Sequence, residues 1–230
     1  MFNKKVGISI LLWIIIMIII AILTRYSFQD DTSQNIDKFQ VAEWSDTLYN
    51  EQEDQMLQKL PEANIILRVK ASGKSTISFR CIKQSVTVLE SFKGNSLKQG
   101  TEIDVMWESA MAIFPEKYLN MGFVNFMKTD HEYLIFLDKK IESPEYKNDN
   151  TWTLALSELF IAPIFDYDMN RINVQIPISN SENRYVLYEQ VKENEFFVED
   201  EKSLNHLLEV KEKLLNMYPR EKKDIKGKNI

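Results

Sequence analysis

The sequence predicts a mainly β protein with an N-terminal transmembrane helix, an antiparallel β-barrel or sandwich, and a C-terminal helix that covers it. Three observations support this prediction. A long uncharged, apolar run lies near the N-terminus, about seven short segments with strand-like alternation follow it, and a leucine-rich segment with helical spacing lies near the end. Tight turns join the strands, and nothing in the pattern indicates the βαβ units of a parallel sheet.

Composition and charge exclude several classes of protein. The 230 residues include 13 Phe, 9 Tyr and 4 Trp, so the chain has enough apolar material for a folded core. The formal net charge of −6 argues against nucleic acid as a partner, because surfaces that bind nucleic acid are basic. A single cysteine, Cys81, excludes a disulfide framework within the chain and a zinc site made of cysteines.

The segment Val6–Thr24 is the predicted membrane anchor, and the lipid bilayer is therefore the first predicted partner. As a helix it would be about 28 Å long, close to the hydrocarbon thickness of a bilayer. Lys4 and Lys5 precede it, whereas acidic residues soon follow Arg25. The positive-inside rule then predicts a single-pass protein with a cytoplasmic N-terminus and an extracellular C-terminal domain. A cleaved signal peptide is the alternative, although the residues after the run, LTRYSFQDD, lack the small side chains of a cleavage site.

The chain divides into five predicted parts. They are residues 1–28, the cytoplasmic N-terminus and anchor; 29–60, a stalk and short helix; 61–200, an extracytoplasmic β domain; 201–218, a C-terminal helix; and 219–230, a basic tail that we expect to be disordered. Without residues 1–25, the remaining chain carries 25 basic and 34 acidic side chains, a net charge of −9. The exported part is thus more acidic than the whole, which favours solubility.

The β domain opens with apolar residues at every second position. They predict a half-buried strand over Ile65, Leu67, Val69 and Ala71. The segment Ser72–Thr76 resembles the end of a phosphate-binding loop but lacks that motif's first glycine, so we predict a hairpin turn there. Apolar residues then occupy odd positions up to Cys81 and even positions from Val86, which predicts a β-bulge or strand break near residues 83–84.

Later segments continue the strand pattern. Residues 103–107 alternate, and the continuous apolar run Tyr133–Leu137 predicts a central strand. Short strands are further predicted at Trp152–Leu156, Ile172–Ile178, Tyr185–Tyr188 and Phe196–Val198. A helix over residues 45–60 ends at Pro61, and a second begins at Ser203, carries a leucine stripe and ends at Pro219.

Part of the β domain is similar to a known family. The strand NIILRVKA, the turn Phe92-Lys93-Gly94 with its closing Gly100, and the strand Tyr133–Phe136 follow one another over roughly residues 62–140. This arrangement resembles the netrin-like domains, which include the tissue inhibitors of metalloproteinases and membrane-anchored proteins of Gram-positive bacteria. The resemblance implies an OB-fold-like antiparallel β-barrel. Protease inhibition in that family needs an N-terminal cysteine and disulfides, so it does not carry over to this chain.

Few residues belong to the types that catalyse reactions or bind metals. The run Asp166–Asn170 has the oxygen spacing that opens a calcium loop, but Arg171 and Pro177 stand where that loop needs Gly and Glu. We therefore predict a polar turn, with a looser calcium site as the alternative. His131 is predicted in an exposed turn and His206 on a helix surface, so they are not expected to form a metal site. The sequence predicts no cofactor, no metal and no catalytic residue.

An aromatic segment is the remaining candidate for a site. Residues 109–127 are too apolar for a simple loop, and they either pack over the barrel end or form a ligand or partner surface. The aromatic side chains concerned are Phe114, Tyr118, Phe123 and Phe126.

Two functions stay open from the sequence. The first is a non-catalytic binding or interaction module of the bacterial cell envelope, tethered to the membrane, with an envelope protein or a wall polymer as its partner. The second is an envelope hydrolase with paired carboxylates drawn from acidic residues of the β domain, namely Asp130, Glu132, Asp166 and Asp168.

Overall fold

The computed structural model describes residues 4–27, 36–43, 52–78, 81–107, 111–113, 117–142, 150–155, 161–175 and 185–220. The chain forms two compact units, Met1–Gln34 and Asn35–Ile230. The helices are α1 (Lys4–Ser27), α2 (Gln52–Lys59), α3 (Tyr188–Val191) and α4 (Glu201–Met217). The strands are β1 (Gln40–Ala42), β2 (Ile65–Ser78), β3 (Cys81–Lys93), β4 (Glu102–Trp107), β5 (Met111–Ile113), β6 (Tyr118–Asn120), β7 (Glu132–Lys140), β8 (Thr151–Leu154), β9 (Ile164–Asp166) and β10 (Tyr185–Leu187).

Helix α1 belongs to the first unit. All its side chains from Val6 to Arg25 are exposed, so apolar residues lie on every side of the helix rather than on one stripe. A helix of this kind and length is suited to lipid. Within the described residues it is the one helix long and apolar enough to cross a membrane. The predicted apolar N-terminal helix, compatible with membrane anchoring, is confirmed.

Five strands of the second unit close into a barrel. The order is β2-β3-β4-β8-β7, and β7 pairs with β2 again to complete the circle. Four of the five pairings are antiparallel, while β4 and β8 run parallel, with Asp104 opposite Thr151. Strand β9 adds to β7 beside β8. The predicted mainly β fold is confirmed, and the closed barrel is compatible with an OB-fold-like architecture.

The barrel interior explains the apolar pattern of the sequence. On β3, burial alternates from Ile82 to Val88, because one face of the strand points into the barrel. On β7, every residue from Tyr133 to Leu137 is buried, since the rest of the domain covers the outer face of this strand as well. The continuous apolar run was therefore a correct indication of a central strand.

The first hairpin of the barrel differs from the prediction. The predicted turn at Ser72–Thr76 lies inside β2, where the pairing with β3 shifts register between Ala71 and Ser75. Gly73 has a φ of +80° there, and a Cβ at this position would collide with the side chain of Thr129. The strand reverses direction between Ser78 and Cys81. The predicted irregularity near residues 83–84 is present in the pairing, because Ala71 lies opposite Val86 and Ser75 opposite Gln84, but the extra residues are on β2. The residues Ser72–Thr76, which are typical of a turn, therefore form a β-bulge within the strand.

A glycine in the next turn is required by both conformation and space. Gly94 has a φ of +87°, and a Cβ there would lie 2.9 Å from Ile65 Cγ1 and 3.0 Å from the backbone oxygen of Asn64. Gly100 also has a positive φ, of +83°, but a Cβ at this position would have no other atom within 4 Å.

The two glycines form a matched pair of variants. Gly100→Ala should lower the free energy of unfolding by about 1 kcal/mol, because alanine is strained at positive φ. Gly94→Ala should cost about 2 kcal/mol more, since a neighbour must also move. Urea unfolding of both variants measures the difference, and equal losses would show that the close approach at Gly94 does not matter.

A second, four-stranded sheet has the order β10-β1-β6-β5. It includes residues from the predicted stalk, because Phe39 and Val41 are buried and β1 pairs with both β6 and β10. Residues 36–43 are thus part of the folded domain. The rest of the segment 29–51 lies outside the described residues. The predicted helix over 45–60 is present as α2, which buries Met56.

Some later elements also differ from the prediction. Strand β9 was missed, because its three residues are all buried and show no alternation. Residues 172–175 of the predicted strand Ile172–Ile178 are not in a strand, and the remainder lies outside the described residues. The segment Phe196–Val198 forms an isolated bridge, Val124 to Phe196, rather than a strand.

Helix α4 covers part of the domain with its apolar face, as predicted. Leu207, Val210 and Leu214 are buried, and the ring of Tyr218 lies 5.8 Å from that of Phe136 on β7. The predicted cap, Ser203, is instead a buried residue of the first turn.

The residue that caps α4 is Asp200. Its Oδ1 accepts a hydrogen bond of 2.7 Å from the backbone N–H of Ser203. Asp200→Ala should lower the free energy of unfolding by about 1 kcal/mol. Asp200→Asn should keep the free energy of unfolding close to that of the unmodified protein. Thermal unfolding of the two variants checks this, and equal effects would contradict the capping role.

Candidate functional site

A groove of about 380 Å³ lies where several segments of the β domain meet. One wall is the bulged part of β2, from Gly73 to Ile77, and the other is the loop Asn125–Thr129 before β7. The segment that follows α3 contributes Lys192 and Glu193, and Arg171 lies among the buried lining residues. The lining thus combines charged, polar and aromatic groups, as is typical of ligand sites.

Two buried amides hold the loop side of the groove in place. The side chain of Gln84 donates to the backbone oxygen of Met127 at 3.2 Å and accepts from its N–H at 2.8 Å. The Asn125 side-chain nitrogen donates at 2.8 Å to the backbone oxygens of Lys192 and Asn194. Because these amides bond to the backbone of the segments that form the groove, they fix its shape.

An aromatic pair adds an apolar part to the lining. The ring of Phe126 meets that of Tyr188 edge-on, with centroids 6.2 Å apart. Burial raises the pKa of Tyr188 to about 12, so its hydroxyl stays neutral and donates to Asn125 Oδ1 at 3.1 Å.

The four aromatic residues predicted as a surface occupy different surroundings. Phe126 is half-buried and lines the groove. Tyr118 is half-buried on β6, with its ring 5.0 Å from that of Tyr185. Phe123 is buried in the core, and Phe114 lies outside the described residues. Of the four, the structure therefore places one, Phe126, at the groove.

Three basic residues contribute to the groove. Lys128 Nζ lies 2.7 Å from Glu193 Oε2, and this hydrogen bond lowers the pKa of Glu193. Lys192 is exposed, with its Nζ 3.7 Å from Asp37. Arg171 has a side chain only 3% exposed, and its Nε is buried with no hydrogen-bond partner among the described residues.

Arg171 also connects the groove to a cluster of buried charges. Its Nη1 lies 3.4 Å from Asp166 Oδ2. Glu195 Oε1 accepts from the backbone N–H of Asp166 at 2.8 Å, and its Oε2 lies 2.6 Å from Lys211 Nζ. Asp166, Glu195 and Lys211 are at most 1% exposed. Burial raises the pKa of Glu195, and the Lys211 ammonium opposes that shift.

The segment Asp166–Asn170, predicted as a polar turn, takes part in this cluster. Asp166 Oδ1 accepts from the backbone N–H of Asp168 at 2.9 Å, and its Oδ2 lies 2.9 Å from His131 Nδ1. Both oxygens are thus engaged by the protein, as in a polar turn. Within the described residues, no group of three or more His, Cys, Asp or Glu side chains is arranged to hold a metal ion.

The other acidic residues considered for hydrolysis lie in solvated ion pairs or turns. Asp130 is 76% exposed and pairs with Lys70 at 2.7 Å. Glu132 Oε2 lies 3.0 Å from Arg68 Nη1. The carboxylate of Asp168 caps a turn, with Oδ1 accepting from the backbone N–H of Asn170.

Sequence reasoning missed the charged residues that matter most here. Arg171, Lys128 and Lys192 belong to separate loops and show no common spacing. The burial of Lys211 could have been predicted, because this residue lies on the apolar stripe of α4 at helical spacing from Leu207 and Leu214.

A smaller depression of about 260 Å³ lies beside β3 and β4. Its central carboxylate, Asp104, accepts from Ser85 Oγ at 2.5 Å and lies 3.4 Å from Lys83 Nζ. Because Ser85 and Lys83 already pair with this carboxylate, the depression is a weaker candidate for a binding site than the groove.

Comparisons with known proteins add no family or relative. No protein-family profile matches the chain, and no curated protein matches it either.

Proposed function

We propose that this chain is a membrane-tethered, extracytoplasmic binding module of the cell envelope, without catalytic activity. The observation that carries the proposal is the groove beside β2, whose wall is built from a bulge, a loop and the segment after α3. The exposed apolar helix α1 supports the anchor, and the lysines before it support a cytoplasmic N-terminus.

The positions of the acidic residues favour binding over hydrolysis. Paired-carboxylate catalysis needs two carboxyl groups facing a substrate cleft, one with a raised pKa. Glu195 has a raised pKa, but it is buried against Lys211 and does not line the groove. Asp130 and Glu132 lie in solvated ion pairs. An envelope hydrolase remains the second candidate.

A netrin-like assignment is part of the proposal. The closed barrel and the turn between Gly94 and Gly100, both at positive φ, support it. It implies an OB-fold-like barrel and no particular ligand.

The test is site-specific crosslinking of the full-length protein in native membranes. A photoreactive amino acid replaces Ser75, which is exposed on the groove rim, and in a control protein it replaces Lys98, which is exposed and does not line the groove. We expect one dominant adduct from position 75 that position 98 does not give. The absence of a position-specific adduct would contradict the proposal.

A parallel assay tests the hydrolase. Purified full-length protein is incubated with wall material, and released sugars and peptides are measured. We expect no release above that of an Asp130→Asn, Glu132→Gln double variant. Release that this variant abolishes would replace the binding module with the enzyme.

A further inference from the structure

We propose that the groove binds a phosphate-type oxyanion, with Arg171 beneath the anion and Lys128 and Lys192 at the rim. This inference rests on the proposed binding function and names the chemical class of its ligand. It follows from one unsatisfied donor, from the distribution of charge in the groove and from the composition of its walls.

The unsatisfied donor is the Nε–H of Arg171. The other two guanidinium nitrogens are engaged, since Nη1 donates to Tyr133 Oη at 3.0 Å and Nη2 donates to the backbone oxygen of Asn194 at 3.0 Å. Nε is buried without an acceptor among the described residues. Buried donors are nearly always paired, so this leftover N–H, on a residue that lines the groove, suits an acceptor supplied by a ligand.

The charges of the groove favour an anion. Its lining contains three cations, Arg171, Lys128 and Lys192, against one carboxylate, Glu193. Two carboxylates outside the lining also pair with these cations, Asp166 with Arg171 at 3.4 Å and Asp37 with Lys192 at 3.7 Å, so the cations are in excess only at the groove surface itself. Lys128 is held by Glu193 at 2.7 Å in an exposed ion pair, a contact weak enough for a bound anion to compete with it.

Phosphate suits this arrangement better than a single carboxylate does. Its oxygens can accept from a guanidinium N–H and from two ammonium groups at once. The apolar part of the lining, which includes Ile77, Phe126 and Met127, suits the apolar part of a larger phosphate ester.

The same oxyanion occurs in two sources, a phospholipid headgroup and free inorganic phosphate. Both present the same oxygens to the groove, so their relative affinities distinguish the two sources.

The experiment is calorimetric titration of the full-length protein in neutral detergent with three ligands. They are inorganic phosphate, glycerophosphoglycerol as a soluble phospholipid headgroup, and glycerol as the uncharged control. We expect both phosphates to bind and glycerol not to bind. A headgroup affinity at least tenfold above that of phosphate identifies lipid as the source, and the reverse order identifies soluble phosphate.

Charge variants of exposed residues test the site without disturbing the buried cluster. The double variant Lys128→Gln, Lys192→Gln should weaken phosphate binding about tenfold, since each rim charge contributes up to about fivefold. Glu193→Gln should tighten it about threefold, because it removes the opposing charge and releases Lys128. Lys139→Gln, exposed and outside the groove, should change nothing.

The outcomes are separable from those of the proposed function. Absence of phosphate binding, or binding that none of the groove variants alters, overturns the anion site. If position 75 still gives its specific adduct in that case, the binding module stands with a different ligand. If both experiments fail, both inferences fail.

Discussion

Replacement of Lys211 by methionine should lower the free energy of unfolding by about 3–5 kcal/mol. The side chain is fully buried, and its Nζ lies 2.6 Å from Glu195 Oε2 and 2.9 Å from the backbone oxygen of Asp168. Methionine fills a similar volume, so the loss comes from leaving the Glu195 carboxylate buried without its cation. Urea unfolding at neutral pH measures the effect.

Two further variants separate the charge from the packing. Lys213→Met, exposed on the same helix, should cost less than about 0.5 kcal/mol. Adding Glu195→Gln to Lys211→Met should recover most of the stability, because the amide removes the unpaired charge and still accepts from the N–H of Asp166. No recovery in the double variant would mean that packing, and not charge, explains the loss.

Glu43→Gln should stabilise the protein above about pH 6 and remove most of the pH dependence of its free energy of unfolding. Both carboxyl oxygens of Glu43 are buried without a hydrogen-bond partner among the described residues. Burial, with a smaller contribution from Glu199, raises the pKa of Glu43 from 4.5 to about 8. The folded state thus keeps a proton that the unfolded chain has already lost, and stability falls as the pH rises through this window.

We expect the free energy of unfolding to fall by roughly 2–3 kcal/mol between about pH 5 and about pH 7. Urea unfolding over this range should show the slope in the unmodified protein and a much flatter profile in Glu43→Gln. Glu142→Gln, at an exposed position, is the control and should keep the slope. A slope that persists in Glu43→Gln would assign the pH dependence to another group.

The barrel was predictable because period-two alternation and glycine-bearing turns are local signals. The error at Ser72–Thr76 has a physical cause. A glycine at positive φ serves a β-bulge as well as a turn, and only the pairing partner distinguishes the two. The burial of Phe39 and Val41 was missed for a related reason. A three-residue strand is too short to show the alternation of apolar and polar residues that identifies a strand.

The groove could not be predicted, because its walls come from segments that are distant in sequence. Ser75, Lys128, Arg171 and Lys192 belong to four separate segments, and no spacing connects them. Phe126 could be proposed from the sequence, because an aromatic residue in an apolar loop is a local signal. The partners of a charged loop residue depend on the tertiary fold, and a single sequence does not contain that information.

The parallel pairing of β4 with β8 affects the order in which the domain assembles. The hairpins β2–β3 and β3–β4 can form as soon as they are synthesised, whereas closure must wait until Thr151 reaches Asp104. Such long-range closure slows folding towards the millisecond-to-second range. Until then β4 has one open edge, and a chaperone or a neighbouring nascent chain could engage it. The period between synthesis of β4 and arrival of β8 is therefore when this domain is most exposed to misassembly.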